Sequence, residues 1–71
     1  MEVPELIRAL NRAGWSIGHT AFAVLSGLVW LVSGTNGENR IAAEGATELE
    51  AWQAACEQAR MMGMLKGGLR Q

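Results

Sequence analysis

The dipeptide Asn36-Gly37 is the sequence feature that most constrains how this chain can fold. It is among the strongest signals for a two-residue β-hairpin loop, because both residue types tolerate the positive φ angles that such a loop requires. A run of apolar and β-branched residues, 28–35, leads into the dipeptide, and residues 38–44 follow it. The sequence therefore predicts two antiparallel strands over these two ranges.

A second turn is predicted ahead of this hairpin. Residues 20–25 have the β-branched and aromatic content of a strand, and Ser26-Gly27 can turn the chain into the next strand, whereas residues 15–18 are expected to form a connection. If both turns contain two residues, Thr35 lies opposite Glu38 and apolar side chains fall on both faces of the sheet. One face would carry Ala21, Ala23, Leu25, Leu28, Trp30, Val32, Ile41 and Ala43, and the other Phe22, Val24, Val29 and Leu31.

Two amphipathic helices flank these strands. Residues 3–13 place apolar side chains at spacings of three and four, and Gly14 is typical of a helix end. Thr47 and Glu50 fit a capping box that starts a second helix, which Gly63 is expected to end. Its buried stripe is expected to contain Leu49, Trp52, Cys56, Ala59, and Met62 or Gly63, with Ala51, Ala55 and Met62 at the edge of the stripe. The sequence therefore predicts an α+β fold of order α-β-β-β-α, in which two helices pack on one face of a three-stranded antiparallel sheet.

The length of the chain favours one small domain. It has 71 residues, about half of an ordinary domain, and we expect a single domain over 1–65 and a flexible tail over 66–71. Chains this short usually need disulfides, a metal or a partner subunit. Cys56 is the only cysteine and no Cys/His spacing fits a zinc site, so a partner is the expected supplement and no cofactor is expected. The unpaired thiol favours a reducing compartment, the cytoplasm.

Charge is distributed unevenly along the chain. The formal net charge is -1, which offers no global basic field for nucleic acid or membrane. No charged residue occurs between Arg12 and Glu38, but the continuously apolar part, 21–32, is short and interrupted by Ser26-Gly27. The N-terminus opens with acidic residues instead of the positive charge of a signal peptide. Neither a membrane span nor a signal peptide is predicted.

The chemistry-bearing residues do not predict an enzyme. Catalysis needs a nucleophile, a base and an orienting group that converge in a pocket. His19 and Cys56 are the only candidates for such a pair, but His19 is expected in a surface loop and Cys56 on a packed helix stripe. Trp15, Trp30 and Trp52 are able to stack nucleic-acid bases, although Trp30 and Trp52 lie on predicted packing faces.

The order of elements and the start of the second helix resemble the double-stranded RNA-binding motif. The positions that match its G-x-S-K-K-x-A-K-x-A-A segment are Gly45, Thr47, Ala51, Ala54 and Ala55. The resemblance implies the α-β-β-β-α fold and, as a function, binding of duplex RNA. The phosphate-binding lysines of that family correspond here to Glu48, Leu49 and Trp52, so their charge is absent or reversed. Residues 32–39 and 43–47 are also similar to small uncharacterised bacterial proteins, which implies no activity.

Two helices can cover only one of the two apolar faces of the predicted sheet. An uncovered apolar patch usually marks an interaction surface, unless the strand boundaries shift by one residue or the tail folds over the sheet. We therefore expect a non-catalytic protein–protein interaction module that forms a two-fold dimer or docks on a larger protein. The interface residues would be Phe22, Val24, Val29 and Leu31. The alternative function is weak nucleic-acid binding through Arg40, Arg60, Lys66 and Arg70.

Overall fold

Two helices and three strands make up the fold in the computed structural model, which describes residues 2–63. They follow one another as α1 (Val3–Arg12), β1 (Ser16–Val24), β2 (Gly27–Asn36), β3 (Asn39–Gly45) and α2 (Glu48–Met61). The strands form one antiparallel sheet in the order β1-β2-β3. The predicted α+β class and the order α-β-β-β-α are confirmed, whereas the predicted flexible tail over 66–71 lies outside the described residues.

Local hydrogen bonds hold both ends of α1. The backbone N–H of Glu2 donates to Oε1 of Glu5 at 2.8 Å and satisfies a donor ahead of the first turn. The chain leaves the helix through Gly14, whose φ is +100°, a value that favours glycine. Nδ2 of Asn36 then donates to the carbonyl of Ala13 at 3.0 Å. This bond ties the end of α1 to the end of β2.

The start of α2 is capped as the sequence predicts. Oγ1 of Thr47 accepts a hydrogen bond from the Glu50 amide at 3.1 Å, while Oε1 of Glu50 accepts from the Ala46 amide at 3.1 Å. The glutamate thus reaches one residue further back than in the standard capping box. The buried residues of the helix are Ala51, Trp52, Ala55, Cys56 and Ala59. The prediction for Leu49 is wrong, because the stripe is centred on the alanines and leaves this leucine exposed at its margin.

We expect Thr47→Ala to lower the free energy of unfolding by about 1 kcal/mol, because the Glu50 amide loses the acceptor that caps the helix. Thr47→Ser keeps the hydroxyl and is the matched control. We expect it to change the free energy of unfolding by only about a few tenths of a kcal/mol. Urea denaturation of the three proteins measures the difference. An unchanged midpoint for the alanine variant would show that the cap is not important.

The predicted strand register is wrong, because each two-residue loop lies one residue earlier or later than expected. The first loop is Leu25-Ser26, and the second is Gly37-Glu38. In the second loop the positive φ of +66° falls on Gly37, as in a turn with glycine at its first central position. Asn36 therefore stays in the strand, where its side chain is bonded to α1.

The faces of the sheet nevertheless agree with the prediction. Thr35 lies opposite Arg40 instead of Glu38, a shift of the partner by two residues. Because side chains alternate with a period of two, such a shift leaves every residue on its predicted face. Val32, Ile41 and Ala43 are buried and share a core with residues of both helices, so we call theirs the inner face. The opposite face of the sheet is called the outer face.

β1 begins earlier than the sequence indicated. It starts at Ser16, so residues 16–18 belong to the sheet, and His19 lies in a strand opposite Val32 instead of in a loop. The preceding Trp15 is buried in the core and anchors the entry to the strand. β1 therefore pairs with nearly the whole of β2, up to Thr35.

The helices cover only part of the inner face. α1 packs on β1 and α2, whereas α2 packs on β3 and β2. The core consists of Leu6, Leu10, Trp15, Val32, Ile41, Ala43, Ala51, Trp52, Ala55, Cys56 and Ala59. Within residues 2–63, no helix has the length and apolar character needed to cross a membrane.

Candidate interaction surface

The β1–β2 hairpin projects beyond the rest of the fold. β3 ends at Gly45, which pairs with Trp30, and α2 begins shortly after it. From this point to the loop, β1 and β2 continue as a two-stranded ribbon, which we call the hairpin arm (residues 21–30). The arm extends past the last residue of β3 by three further pairs, the outermost of which is Val24 with Gly27. An isolated two-stranded ribbon is at best marginally stable in water.

The outer face carries the residues that the sequence singled out, three of them on the arm and Leu31 at its base. Phe22 is 42% exposed and Val24 is 40% exposed, while Val29 and Leu31 are half-buried. Phe22 pairs directly with Val29 across the ribbon. We call the four residues together the outer patch. The alternative in which 66–71 cover this patch falls on residues outside the described part of the chain.

Beyond Trp30, which packs against the core, the inner face of the arm is also exposed and apolar. Ala21 and Ala23 are exposed, and Leu28 is 53% exposed. Leu25 stands fully exposed in the loop at the tip. The arm therefore presents apolar side chains on both sides and at its end, and no charged residue belongs to it.

The two edge strands of the sheet, β1 and β3, differ in how far their outward-facing backbone is protected from pairing with another strand. At the edge of β3, Oε1 of Gln58 accepts from the Ala42 amide at 3.1 Å, and Nε2 of Gln58 donates to the Ala42 carbonyl at 2.7 Å. The α2 side chain thus occupies backbone groups that another strand would need. At the edge of β1, no group within residues 2–63 bonds to the outward-facing backbone. Within residues 2–63, the β1 edge is thus the one whose outward-facing backbone meets no covering side chain, whereas the β3 edge is blocked at Ala42.

His19 belongs to an aromatic cluster at the base of the arm. Its ring centroid lies 5.8 Å from that of Trp30 and 5.7 Å from that of Trp52, in a tilted and an edge-on arrangement. Nε2 of His19 lies 3.6 Å from Oε2 of Glu48 in the first turn of α2. The cluster closes the core where the helix begins. Residues 16–19 include few strand-forming types, so no clear sequence signal indicated this strand position for His19.

Cys56 is placed in a packing environment. Its Sγ donates to the carbonyl of Leu6 at 3.9 Å, in the contact between the two helices. Burial raises the pKa of the Cys56 thiol, which disfavours the nucleophilic thiolate. His19 contacts Trp30, Trp52 and Glu48 and not Cys56, so within the described part of the chain the two residues do not form a pair.

Within the described residues, no group of three or more His, Cys, Asp or Glu side chains is placed to hold a metal ion.

Arg40 and Arg60, the two described residues among those considered for nucleic acid, do not lie on one surface. Arg40 alternates with the buried Ile41 on β3 and therefore lies on the outer face, whereas Arg60 belongs to α2, which packs on the inner face. Arg60 is also paired with Glu57 one turn earlier, and this contact lowers the pKa of the glutamate. Lys66 and Arg70 lie outside the described residues.

Comparison with known proteins identifies no relative. No family model, curated protein or solved structure matches the chain.

Proposed function

We propose that this protein is a non-catalytic interaction module that self-associates through the outer patch of its hairpin arm. The bare arm is the observation that carries the proposal. A ribbon of two strands cannot bury its own apolar side chains, and Phe22 and Val24 are left exposed on it. A contiguous apolar patch of this kind usually marks a protein–protein interaction site.

The chemistry of the arm fits a second copy of the same chain. Two identical charged patches would repel each other, but residues 13–37 contain no charged residue. Apolar contact between copies would remove from water the exposed 42% of Phe22 and 40% of Val24, so each side chain would contribute less than half of the about 1.5–3 kcal/mol that full burial is worth. A two-fold arrangement uses every such contact twice. Self-association therefore supplies the cover that the arm lacks.

The double variant Phe22→Ser/Val24→Ser tests the proposal. The wild-type protein is expected to elute as a dimer in size-exclusion chromatography with light scattering at high micromolar concentration. The double variant is expected to elute as a monomer, because serine removes the apolar surface without adding charge. Both side chains are substantially exposed in the single copy, so we expect the variant to keep its circular dichroism spectrum.

Met61→Ser is the matched control for surface hydrophobicity. Met61 is 74% exposed, in the last turn of α2 and away from the arm, so this variant is expected to remain a dimer. A monomeric wild-type protein at high micromolar concentration would refute self-association. A dimer that survives the double variant would place the contact elsewhere on the molecule.

A further inference from the structure

The β1 edge presents a regular row of unpaired backbone groups. Val24 and Gly27 flank a two-residue loop, and such flanking residues exchange both backbone hydrogen bonds. Residues of β1 then alternate, so that the odd-numbered ones direct N–H and C=O away from β2. These are Ile17, His19, Ala21 and Ala23. The same alternation makes Ala42 face outward on β3, where Gln58 indeed binds it.

β1 lacks the devices that normally protect an edge strand. Edge strands are usually short or carry charge, proline or a covering group. β1 has nine residues, none of them charged or proline. β3 has seven residues, includes Arg40 and Glu44, and is bonded at Ala42 by the Gln58 side chain. This asymmetry points to strand addition at β1.

We propose that two copies join along their β1 edges in antiparallel orientation, with Thr20 opposite the partner's Thr20, to form one six-stranded sheet. The proposal rests on the self-association proposed above and specifies its geometry. In this register Ile17 pairs with the partner's Ala23, and His19 with the partner's Ala21. All four outward-facing residues of each copy then form backbone hydrogen bonds with the partner's β1. No other antiparallel register pairs all four.

The side chains of the outer face fit the same register. Phe22 lies opposite the partner's Gly18, and a Cβ added at Gly18 would meet no atom within 4 Å. The glycine therefore leaves open space where the partner's phenyl ring can pack on the strand. Val24 lies opposite the partner's Ser16. The outer patch thus continues across the two-fold axis.

The inner face gains a cover in this arrangement. Antiparallel pairing places the arm of one copy beside the first residues of the partner's β1. α1 packs on β1 in each copy, so the partner's α1 is brought next to the bare inner face of the arm. Ala21 and Ala23 are small enough to let a helix approach closely. Edge pairing therefore covers the inner side of the arm, and on the outer side it gives Phe22 a packing contact at the partner's Gly18.

Disulfide trapping of Thr20→Cys tests the register. In a Cys56→Ala background, the two introduced thiols would occupy a non-hydrogen-bonded antiparallel pair, with Cβ atoms about 4.5–5.5 Å apart, close to disulfide geometry. We expect near-complete covalent dimer on mild oxidation at low micromolar concentration. Ser33→Cys, which is exposed on the outer face of β2, is the control and is expected to stay largely monomeric. Equal cross-linking of both variants would overturn the register.

Ala21→Pro tests the edge independently. It removes an outward-facing N–H and leaves the β1–β2 ladder intact, so we expect a folded monomer at a concentration where the wild type is dimeric. A folded Ala21→Pro dimer, together with a monomeric Phe22→Ser/Val24→Ser variant, would refute edge pairing and retain self-association through the outer patch. A monomeric wild type would refute both. If Ala21→Pro does not fold, the Thr20→Cys result decides.

Discussion

Trp52→Ala is expected to remove most of the stability of the protein. Trp52 is 1% exposed, among the largest side chains that are fully buried, and it fills the space between α2 and the sheet. Truncation of a buried tryptophan costs about 3–5 kcal/mol, and a chain of this length has a total stability of roughly 4–10 kcal/mol. We therefore expect the urea midpoint to fall to less than half of the wild-type value.

Trp52→Phe separates the packing of this residue from its polar group. Within residues 2–63, Nε1 of Trp52 is buried and has no hydrogen-bond partner. Phenylalanine keeps much of the apolar volume and removes the unsatisfied N–H, so the expected loss is only about 1–2 kcal/mol. Urea denaturation at low micromolar concentration measures both variants. Equal losses would indicate that the indole N–H contributes to stability.

Gly34→Ala is expected to disrupt the β1–β2 pairing. A Cβ at Gly34 would lie 2.4 Å from the Ser16 carbonyl oxygen and 2.8 Å from Cα of Ile17. Both are backbone atoms of the neighbouring strand, and they cannot move without breaking the ladder. We expect a loss of about 3 kcal/mol or more, seen as a large decrease in the melting temperature.

Gly18→Ala is the matched control for this prediction. Gly18 lies in the neighbouring strand, and its Cβ would meet no atom within 4 Å. The expected change in the stability of the monomer is within about 0.5 kcal/mol. Thermal unfolding of both variants at low micromolar concentration compares the two positions. Similar melting temperatures for the two variants would contradict the close approach of β1 at Gly34.

The element order and the faces of the sheet could be predicted because they depend on local patterns. The period of two in β2 and β3 places Val32, Ile41 and Ala43 together in either register. The register itself depended on Asn36, whose side chain is bonded to the carbonyl of Ala13, directly after α1. That bond joins residues far apart in sequence, so the hairpin signal alone could not indicate which glycine-containing loop forms.

The position of His19 was missed for a similar reason. Residues 16–19 include few strand-forming types, and their place in β1 depends on pairing with β2 as far as Thr35. The contacts with Trp30 and Trp52 come from two other elements. Sequence alone could not bring these three rings together.

The sequence predicted which residues form the outer patch, but it did not predict that most of them lie on a projecting hairpin. Alternation identified Phe22 and Val24 as residues of the face without helices. That they stand on a projecting arm follows from the difference between ten residues in β2 and seven in β3. The capping residue Thr47 was the available signal, because a helix start at this point requires β3 to end just before it.

In the proposed edge-paired dimer, Gln58 would set an upper limit on the number of subunits. A subunit that accepted strands on both sides would polymerise without end and produce a cross-β filament. Here the amide of Gln58 already occupies the backbone of Ala42 on one side. In the proposed dimer, the β1 edge of each copy is used by the other copy and the β3 edge is blocked at Ala42, so the pair would be closed to further strands and protected from fibrillation.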